Sequence, residues 1–211
     1  MEKQQKTPIR YEFSTPIGYY RLPDYQSVNR GLTRIIRSRQ QTEEGMTRSN
    51  VGGWHSDDTF FSWQGASPKR LAEFISKSIL NITKETTTLE KFDCKFKLSG
   101  WANINGPGEY NALHDHPASA WSGVYYVKVN DEERDPLPRA GRLSIVDPRG
   151  PINMTGQCKW LSHNGGAMTI RPLPGLCVIF PSWLRHNVMP FTLDQIRISI
   201  AFNCELELRP A

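Results

Sequence analysis

The sequence predicts an α+β chain, mainly β, whose core is an antiparallel double sheet or jelly roll. Two helical patterns fall before residue 90, and after it short alternating or apolar runs follow one another, separated by turn signals. With 211 residues, of which 38% are hydrophobic, the chain is long enough to form one domain with a substantial core. Within a single domain 1–211, we expect residues 1–90 to form N-terminal strands and two helices packed on one sheet. Residues 91–207 should form the jelly-roll core.

The first helix is expected at about residues 24–41, after an extended arm or strand pair at 7–23 in which three prolines limit regular structure. Its arginines and its aliphatic residues fall on opposite helical faces, namely Arg30, Arg34 and Arg37 against Val28, Leu32 and Ile35. A solvated face of an amphipathic helix is the favoured interpretation. A phosphate-binding stripe is the alternative, but no aromatic interleaving and no nucleic-acid motif accompanies the arginines.

The second helix has the clearest local signals. Ser67 is a suitable N-cap, and Pro68 then occupies the first helical position, where its missing N–H costs nothing. An apolar stripe with helical spacing follows, formed by Leu71, Phe74, Ile75, Ser78 and Ile79.

Strands are expected from residue 92 onward. Phe92, Cys94, Phe96 and Leu98 alternate with charged residues, which predicts a half-buried strand. Glycine- and proline-rich turns such as Asn105-Gly106-Pro107-Gly108 separate the later runs. Those runs predict strands near 100–105, 112–116, 121–129, 142–147, 167–171, 176–180, 186–191 and 194–207.

Composition excludes several classes of protein. Charged residues make up 22% of the chain and the net charge is +5, which suits a globular protein and is mild for a nucleic-acid binder. No stretch approaches the roughly 20 apolar residues of a membrane span. The polar start, Met1 to Lys6, is not followed by an apolar signal core, and this predicts a cytoplasmic protein. The four cysteines are far apart and are expected to be reduced core residues: Cys94, Cys158, Cys177 and Cys204.

Three of the five histidines have a spacing that suggests a metal site. His114 and His116 are two residues apart on a predicted strand, so their side chains can point to the same face. His186 follows an apolar strand about seventy residues later, and distant strands of a jelly roll can meet at one barrel mouth. Three imidazoles suit iron, zinc, copper or nickel. The alternative is that His114 and His116 are surface residues of a loop.

One irregularity concerns the third ligand. Non-haem iron sites usually combine two histidines with one carboxylate. Here His116 stands where that carboxylate is expected, and the adjacent Asp115 should point to the other face unless the strand bulges. Asp115 therefore remains an alternative ligand to His116. A neutral histidine in this position leaves iron one charge more positive, which favours an anionic co-substrate.

Several motifs resemble a known family. The run from Asn103 to His116 looks like the Tyr-x-x-Gly-x-x-Tyr-x-x-His-x-Asp stretch of the prolyl-hydroxylase-like 2-oxoglutarate/Fe(II) oxygenases. The blocks Ser49–Ser56, His114-x-His116-Pro117, Ser122–Val127 and Phe180–Ser182, with Arg197-x-Ser199, more closely resemble a family of 2-oxoglutarate/Fe(II)-dependent oxygenases found in bacteria and phages. The resemblance implies a double-stranded β-helix, Fe(II), 2-oxoglutarate and O2. It does not imply a substrate.

Arg197 is the expected anchor for 2-oxoglutarate. The co-substrate chelates iron through its 1-carboxylate and 2-keto oxygens, so its distal carboxylate needs a partner inside the barrel. Arginine offers a permanently charged bidentate fork, and Ser199 on the same face adds a hydroxyl donor. Tyr110 and Asn103 could also bond the co-substrate, although packing or turn roles suit them equally well. The alternative for Arg197 is a solvent-facing position on an outer sheet.

A glycine-rich loop precedes the predicted barrel and is a candidate substrate rim. Gly52 and Gly53 allow a sharp bend there, and Trp54, Ser56 and Asp57 follow. A helix cap is the alternative role for Asp57.

These observations together predict an Fe(II)/2-oxoglutarate-dependent dioxygenase, most simply a C–H hydroxylase. The rivals are a cupin-like three-histidine enzyme that uses zinc and a jelly-roll binding module without turnover. A protein side chain, a small metabolite and, less favoured, a nucleic acid stay open as substrates. No membrane partner is expected, and a homodimer is compatible with the sequence, which does not determine the oligomeric state.

Overall fold

The structure of the chain is a computed structural model that describes residues 13–150 and 166–211. The start of the predicted N-terminal arm, Cys158, His163 and most of the predicted turn at 164–166 lie outside the described residues. The elements, in chain order, are β1 (Gly18–Arg21), α1 (Tyr25–Thr42), β2 (Asn50–Val51), β3 (Trp54–His55), a 3-10 turn (Phe60–Ser62), α2 (Ala66–Thr86), β4 (Phe92–Asn105), β5 (Tyr110–His114), β6 (Trp121–Lys128), β7 (Leu143–Val146), β8 (Ala167–Ile170), β9 (Leu176–Pro181), β10 (His186–Val188) and β11 (Arg197–Pro210).

The strands form two sheets, and every strand pair in both sheets is antiparallel. The larger sheet has the order β1-β9-β6-β11-β4-β3, and the smaller has the order β2-β5-β10-β7-β8. Consecutive strands from β4 onward alternate between the sheets in places, so residues distant in sequence become neighbours. The predicted fold class is confirmed: the chain is mainly β, with the two sheets of a double-stranded β-helix and two helices before them.

The longest strand pair joins β4 to β11. Arg197 lies opposite Asn105, and the pairing runs without interruption to Pro210 opposite Phe92. The two runs predicted at 92–98 and 100–105 are therefore one strand. Gly100 lies inside it because a Cβ at this position would be 2.6 Å from the Phe61 ring. The pairing brings Arg197 and Ser199 next to Asn105 and Asn103.

Both helices pack on the outer face of the larger sheet, as predicted. The apolar sides of α1 and α2 share one buried cluster with residues of β4, β6, β9 and β11. Asn29 of α1 donates from Nδ2 to the carbonyl of Val127 (2.7 Å) and accepts from the hydroxyl of Tyr125 (2.7 Å), so α1 is tied to β6. Arg30, Arg34 and Arg37 are exposed, which fits the solvated face of an amphipathic helix.

The start of α2 differs from the prediction. The N-cap is Gly65, with a φ of 120°, and the helix begins at Ala66, so Ser67 lies inside the first turn. Ser67 packs closely against Gly31 of α1, where a Cβ would meet the serine hydroxyl. The side chain is used for the contact between the helices and not for a cap, which the local sequence could not indicate.

A second buried cluster lies between the two sheets. Val124 and Val178 of the larger sheet contact Leu143 and Ile145 of the smaller one, with Phe180 and Leu184 completing the cluster. Cys94, Cys177 and Cys204 lie on β4, β9 and β11 as free thiols. No helix among the described residues is long and apolar enough to cross a membrane.

Candidate metal centre and co-substrate pocket

Three histidines meet at one end of the space between the sheets. His114, the last residue of β5, lies directly opposite His186, the first residue of β10. His116 follows the end of β5, and its backbone N–H donates to the carbonyl of Ser182 (2.9 Å) in the segment that precedes β10. One donor atom from each imidazole lies within 4.8 Å of the other two. This arrangement offers three nitrogen ligands to one ion.

Hydrogen bonds orient two of the imidazoles. Nδ1 of His114 is 2.7 Å from the carbonyl oxygen of Ala112, and Nδ1 of His186 is 2.8 Å from that of Leu184. Because a carbonyl can only accept, each Nδ1 carries the proton and each Nε2 keeps its lone pair. Protein metal sites commonly hold their histidines in this way. Both rings therefore present Nε2 to a metal ion.

The electrostatics of the site favour neutral imidazoles. Burial, together with the neighbouring His114 and His116 rings, lowers the pKa of His186 to about 3 even though the Leu184 carbonyl raises it. Burial and the nearby His114 lower the pKa of His116 to about 4. A neutral imidazole is the form that binds metal ions. At neutral pH these rings are thus ready to act as ligands.

Asp115 does not join the three histidines. Its side chain is exposed, and among the described carboxylates, thiols and imidazoles the group that could hold a metal consists of His114, His116 and His186. The ring of His116 instead packs at 4.9 Å from that of His114 and at 5.9 Å from that of Trp101, measured between ring centres.

Arg197 lies at the inner end of the same cavity and is 1% exposed. Its Nη1 donates to Ser199 Oγ (3.1 Å) and, over a longer distance, to Asn105 Oδ1 (3.4 Å). Its Nε and Nη2 are buried and have no hydrogen-bond partner in the described part of the chain. No described carboxylate forms an ion pair with it. An isolated buried charge is costly, so these unpartnered atoms fit an anionic ligand.

The inner cavity connects Arg197 with the histidines. Asn103, Asn111 and Ser199 line it, and Oδ1 of Asn103 is a further buried atom without a partner. The buried hydroxyl of Tyr126 also lacks one, and the Tyr126 ring centre lies 5.2 Å from the guanidinium carbon of Arg197. The site therefore offers several unused donors around one small space.

Two of these residues were missed by the sequence analysis, which named Tyr110 instead. The pairing of β5 with β10 shifts register by one residue between His114 and Asn111, as a β-bulge does. Asn111 lines the cavity as a result, and Tyr110 does not. Tyr126 is paired with Ser199 across β6 and β11. The adjacent tyrosines Tyr125 and Tyr126 were a signal, since alternation requires one of them to face inward.

The predicted rim residues lie elsewhere. Trp54 is 8% exposed and donates from Nε1 to the carbonyl of Glu43 (3.0 Å). The hydroxyl of Ser56 donates to the carbonyl of Asp57 and accepts from the backbone N–H of Ala102 (3.0 Å). Oδ1 of Asp57 accepts from the Thr59 hydroxyl (2.7 Å), which is the capping role considered as the alternative. None of the three predicted residues lines the described cavities at the histidines.

A second, outer cavity opens on the other side of His114 and His116. Its volume is about 550 Å³, against about 50 Å³ for the inner one. Arg48, His55 and Asp58, which come from the same loop region as the predicted rim, line it together with Trp101 and Asn203. His114, His116, Ser49 and Trp101 line both cavities, so the histidines lie at the boundary between them.

Comparison with solved structures finds relatives across most of the chain. A prolyl-4-hydroxylase from Pseudomonas putida has a TM-score of 0.61 and 18% sequence identity, over 94% of each chain. HygX from Streptomyces hygroscopicus, solved with nickel and 2-oxoglutarate, has a TM-score of 0.59 and 10% identity, over 90% of this chain and 83% of its own. A prolyl hydroxylase from Trichoplax adhaerens, in complex with a hypoxia-inducible-factor peptide, has a TM-score of 0.57 and 11% identity, over 89% and 83%. At such identities the likeness concerns the fold.

Family comparison by sequence gives the more specific result. No curated protein matches the chain. The model of one family, described as "putative 2OG-Fe(II) oxygenase", matches residues 99–203, about half of the chain. That range contains the three histidines, Arg197 and Ser199. The chain therefore belongs to this family of 2-oxoglutarate/Fe(II) oxygenases, whose cofactor is Fe(II) and whose co-substrates are 2-oxoglutarate and O2.

Proposed function

We propose that the chain is a 2-oxoglutarate-dependent C–H hydroxylase in which His114, His116 and His186 would hold Fe(II) and Arg197 would hold the distal carboxylate of 2-oxoglutarate. The observation that carries this proposal is the pairing of two features in one cavity. Three convergent imidazoles lie at its mouth, and a fully buried arginine with two unpartnered nitrogens lies at its inner end. A metal ion and a small anion satisfy both features at once.

When bound, the iron supplies O2 activation coupled to the oxidative decarboxylation of 2-oxoglutarate. Succinate and CO2 leave, one oxygen atom enters succinate, and the other converts a substrate C–H to C–OH. The histidines orient this chemistry through ring positions that the Ala112 and Leu184 carbonyls hold. The protein thus supplies binding, orientation and electrostatics, while the cofactor performs the difficult step.

The inner cavity is suited to 2-oxoglutarate by charge. Arg197 offers Nε and Nη2, and the nearby hydroxyls of Tyr126 and Ser199 can add donors to the same carboxylate. Asn103 lines the cavity and offers its amide group. Charge-assisted hydrogen bonds to a buried carboxylate are among the stronger interactions in proteins, so this set can select a dicarboxylate over a monocarboxylate.

Three neutral ligands also favour an anionic co-substrate. A site with a carboxylate ligand reduces the charge of Fe(II) by one, whereas three imidazoles leave it unchanged. The attraction between the metal and the 1-carboxylate of 2-oxoglutarate should then be stronger. A zinc hydrolase of the cupin type would use the same three histidines but would give the buried Arg197 no anion.

Anaerobic titration tests the proposal. Apoprotein loaded with Fe(II) should develop the visible charge-transfer absorption of an Fe(II)–2-oxoglutarate chelate when 2-oxoglutarate is added, and Zn(II)-loaded protein should not. Admission of O2 should then yield succinate, measured by mass spectrometry. If Fe(II) binds but neither the absorption nor succinate appears, the proposed assignment of this site fails.

A further inference from the structure

The outer cavity contains two opposite charges that the fold does not use. Arg48 and Asp58 both line it, and both are exposed. Neither takes part in any ion pair between described residues, nor does either side chain form a hydrogen bond with one. Elsewhere on the surface, arginines are paired, for example Arg39 with Glu43 and Arg70 with Asp24. Arg48 and Asp58 are thus two separate and available charges beside the histidines.

Asp58 differs from its neighbour Asp57 in this respect. The Asp57 carboxylate is occupied by the Thr59 backbone and hydroxyl. Asp58 contributes only its backbone carbonyl, which accepts from the N–H of Gly100 (3.1 Å) and fixes the position of the residue against β4. The backbone of Arg48 is likewise held, because its N–H donates to Asn50 Oδ1 (2.7 Å). Both residues have anchored backbones and free side chains.

His55 lies between the two charges and forms part of a flat wall. Its ring stacks on that of Trp101, with ring centres 5.4 Å apart and an interplanar angle of 15°. Its Nδ1 is 2.5 Å from the carbonyl of Ser56 and therefore carries the proton. Burial lowers the pKa of His55, and Arg48 lowers it further while Asp58 raises it, which indicates that both charges are near the ring. His55 is consequently neutral at neutral pH.

We propose that the outer cavity binds a free amino acid in its zwitterionic form as the primary substrate, with Arg48 holding its carboxylate and Asp58 its ammonium group. This inference rests on the proposed function, because it assigns the substrate of the same metal site. The side chain would extend toward His114 and His116, along the wall formed by His55 and Trp101. One atom of O2 would replace hydrogen at a side-chain carbon, with 2-oxoglutarate as the reductant as above.

The class of substrate follows from the paired charges. A residue inside a peptide has neither a free carboxylate nor a free ammonium group on its backbone, so it would leave both Arg48 and Asp58 without partners. A nucleotide would satisfy Arg48 and would bring its phosphate close to Asp58, which is unfavourable. A free amino acid satisfies both charges with one small molecule, and a volume of about 550 Å³ lies within the usual range of small-molecule sites.

The test separates the two charges by combining ligand and protein changes. Protein loaded with Zn(II) and 2-oxoglutarate cannot turn over, so binding of each of the twenty common L-amino acids can be measured by calorimetry. For any that bind, the amino-acid amide and the N-acetyl amino acid remove one charge each. We expect wild type to bind each modified ligand about tenfold more weakly, as loss of a charge-assisted hydrogen bond implies.

The variants should then change these preferences selectively. Arg48→Met should no longer distinguish the acid from the amide but should still reject the N-acetyl form. Asp58→Asn should show the opposite pattern. Arg34→Met and Glu73→Gln, which remove exposed charges on the two helices, serve as controls and should behave like wild type. A loss of fold would weaken all ligands together and would not produce this crossed pattern.

Several outcomes would overturn the inference. It is wrong if none of the twenty amino acids binds at millimolar concentration to protein that binds 2-oxoglutarate normally, or if the acid and its amide bind wild type equally. Tighter binding of an uncharged-backbone peptide would point to a peptide substrate and would also overturn it. In each of these cases 2-oxoglutarate binding is intact and the proposed function stands. Failure of 2-oxoglutarate itself to bind would instead contradict the proposed function.

Discussion

His114 and His186 face each other across β5 and β10 with ring centres 4.3 Å apart, and each donates its Nδ1 proton to the carbonyl two residues before it. The two rings are therefore oriented by their own strands and not by a distant side chain. Such a local bond sets which nitrogen faces the metal whenever the strand forms. His116 has no comparable bond on its ring among the described residues, and its position depends on packing against His114, Trp101 and the segment at Ser182.

The first prediction concerns these two ligands. His114→Ala and His186→Ala should each lose stoichiometric Fe(II) binding and 2-oxoglutarate turnover without a second substrate, because either change removes one of three convergent donors. Elemental analysis after anaerobic loading measures the metal content, and circular dichroism confirms the fold. His55→Asn is a matched control, since His55 is buried nearby but does not belong to the three-histidine group. A variant that keeps wild-type iron would show that the replaced histidine is not a ligand.

The second prediction separates His116 from Asp115. His116→Asp should retain metal, because a carboxylate commonly occupies this ligand position in non-haem iron sites. Asp115→Ala should bind iron as wild type does, because its exposed side chain lies outside the histidine group. The same elemental analysis applies to both variants. If Asp115→Ala loses iron while His116→Ala keeps it, our ligand assignment is reversed.

Much of this site could be predicted from the sequence, and the reason is periodicity. Alternation along strands placed Arg197 and Ser199 on one face, and the spacing of His114 and His186 fitted two strands that meet at a barrel mouth. The fold class followed from the same alternation in the strands after residue 90. These predictions needed only a period of two and antiparallel pairing.

The rest depends on features without a local signature. The bulge in β5 changes which side chains face inward, so Asn111 enters the cavity where Tyr110 was expected. The outer cavity is formed by Arg48 and Asp58, whose loops have no periodic pattern. Ser67 has the sequence of an N-cap, but the close approach of two helices at Gly31 determines its role. Each of these is a tertiary effect that overrides a local preference.

The third prediction concerns pH and Asp135, which supports the segment leading to Arg197. Its carboxylate accepts from the Thr192 backbone (2.7 Å) and hydroxyl (2.8 Å) and from the Leu137 backbone (2.9 Å). Burial alone would raise the pKa of Asp135, but these hydrogen bonds outweigh it and hold the value at about 2, below the ordinary 3.8. Because the folded-state pKa is depressed, the stabilisation is complete above 3.8 and is lost as the pH falls through about 2.

Asp135→Asn should therefore be less stable than wild type at neutral pH, and the difference should shrink between pH 3.8 and about 2. Urea unfolding followed by tryptophan fluorescence measures both proteins across that window. Asp194→Asn is a suitable control, since Asp194 is exposed in the same loop. A stability difference that stays constant over this pH range would show that ionisation of Asp135 is not its source.

The last prediction concerns Arg197, because an anchor for the distal carboxylate distinguishes a 2-oxoglutarate enzyme from other three-histidine metal proteins. Removing one partner of a buried charge pair costs about 3–5 kcal/mol. Arg197→Met should thus weaken 2-oxoglutarate binding by about two orders of magnitude or more, at about 1.4 kcal/mol per tenfold. The metal content should stay unchanged, because the arginine lies at the other end of the cavity from the histidines. The charge-transfer absorption of the anaerobic Fe(II) protein follows the titration.

Stability gives a second readout that a purely structural arginine would not produce. Without a ligand, the buried guanidinium of Arg197 has two unpartnered nitrogens, and replacing it with an apolar side chain of similar length should leave the free energy of unfolding unchanged or higher. With saturating 2-oxoglutarate, wild type should be stabilised and Arg197→Met should not, because a ligand that binds only the folded state stabilises it in proportion to its affinity. Arg34→Met, an exposed arginine on α1, should respond to 2-oxoglutarate as wild type does. If Arg197→Met binds 2-oxoglutarate as tightly as wild type, the arginine is not the anchor, and a variant that is destabilised without ligand would show that its role is in the fold.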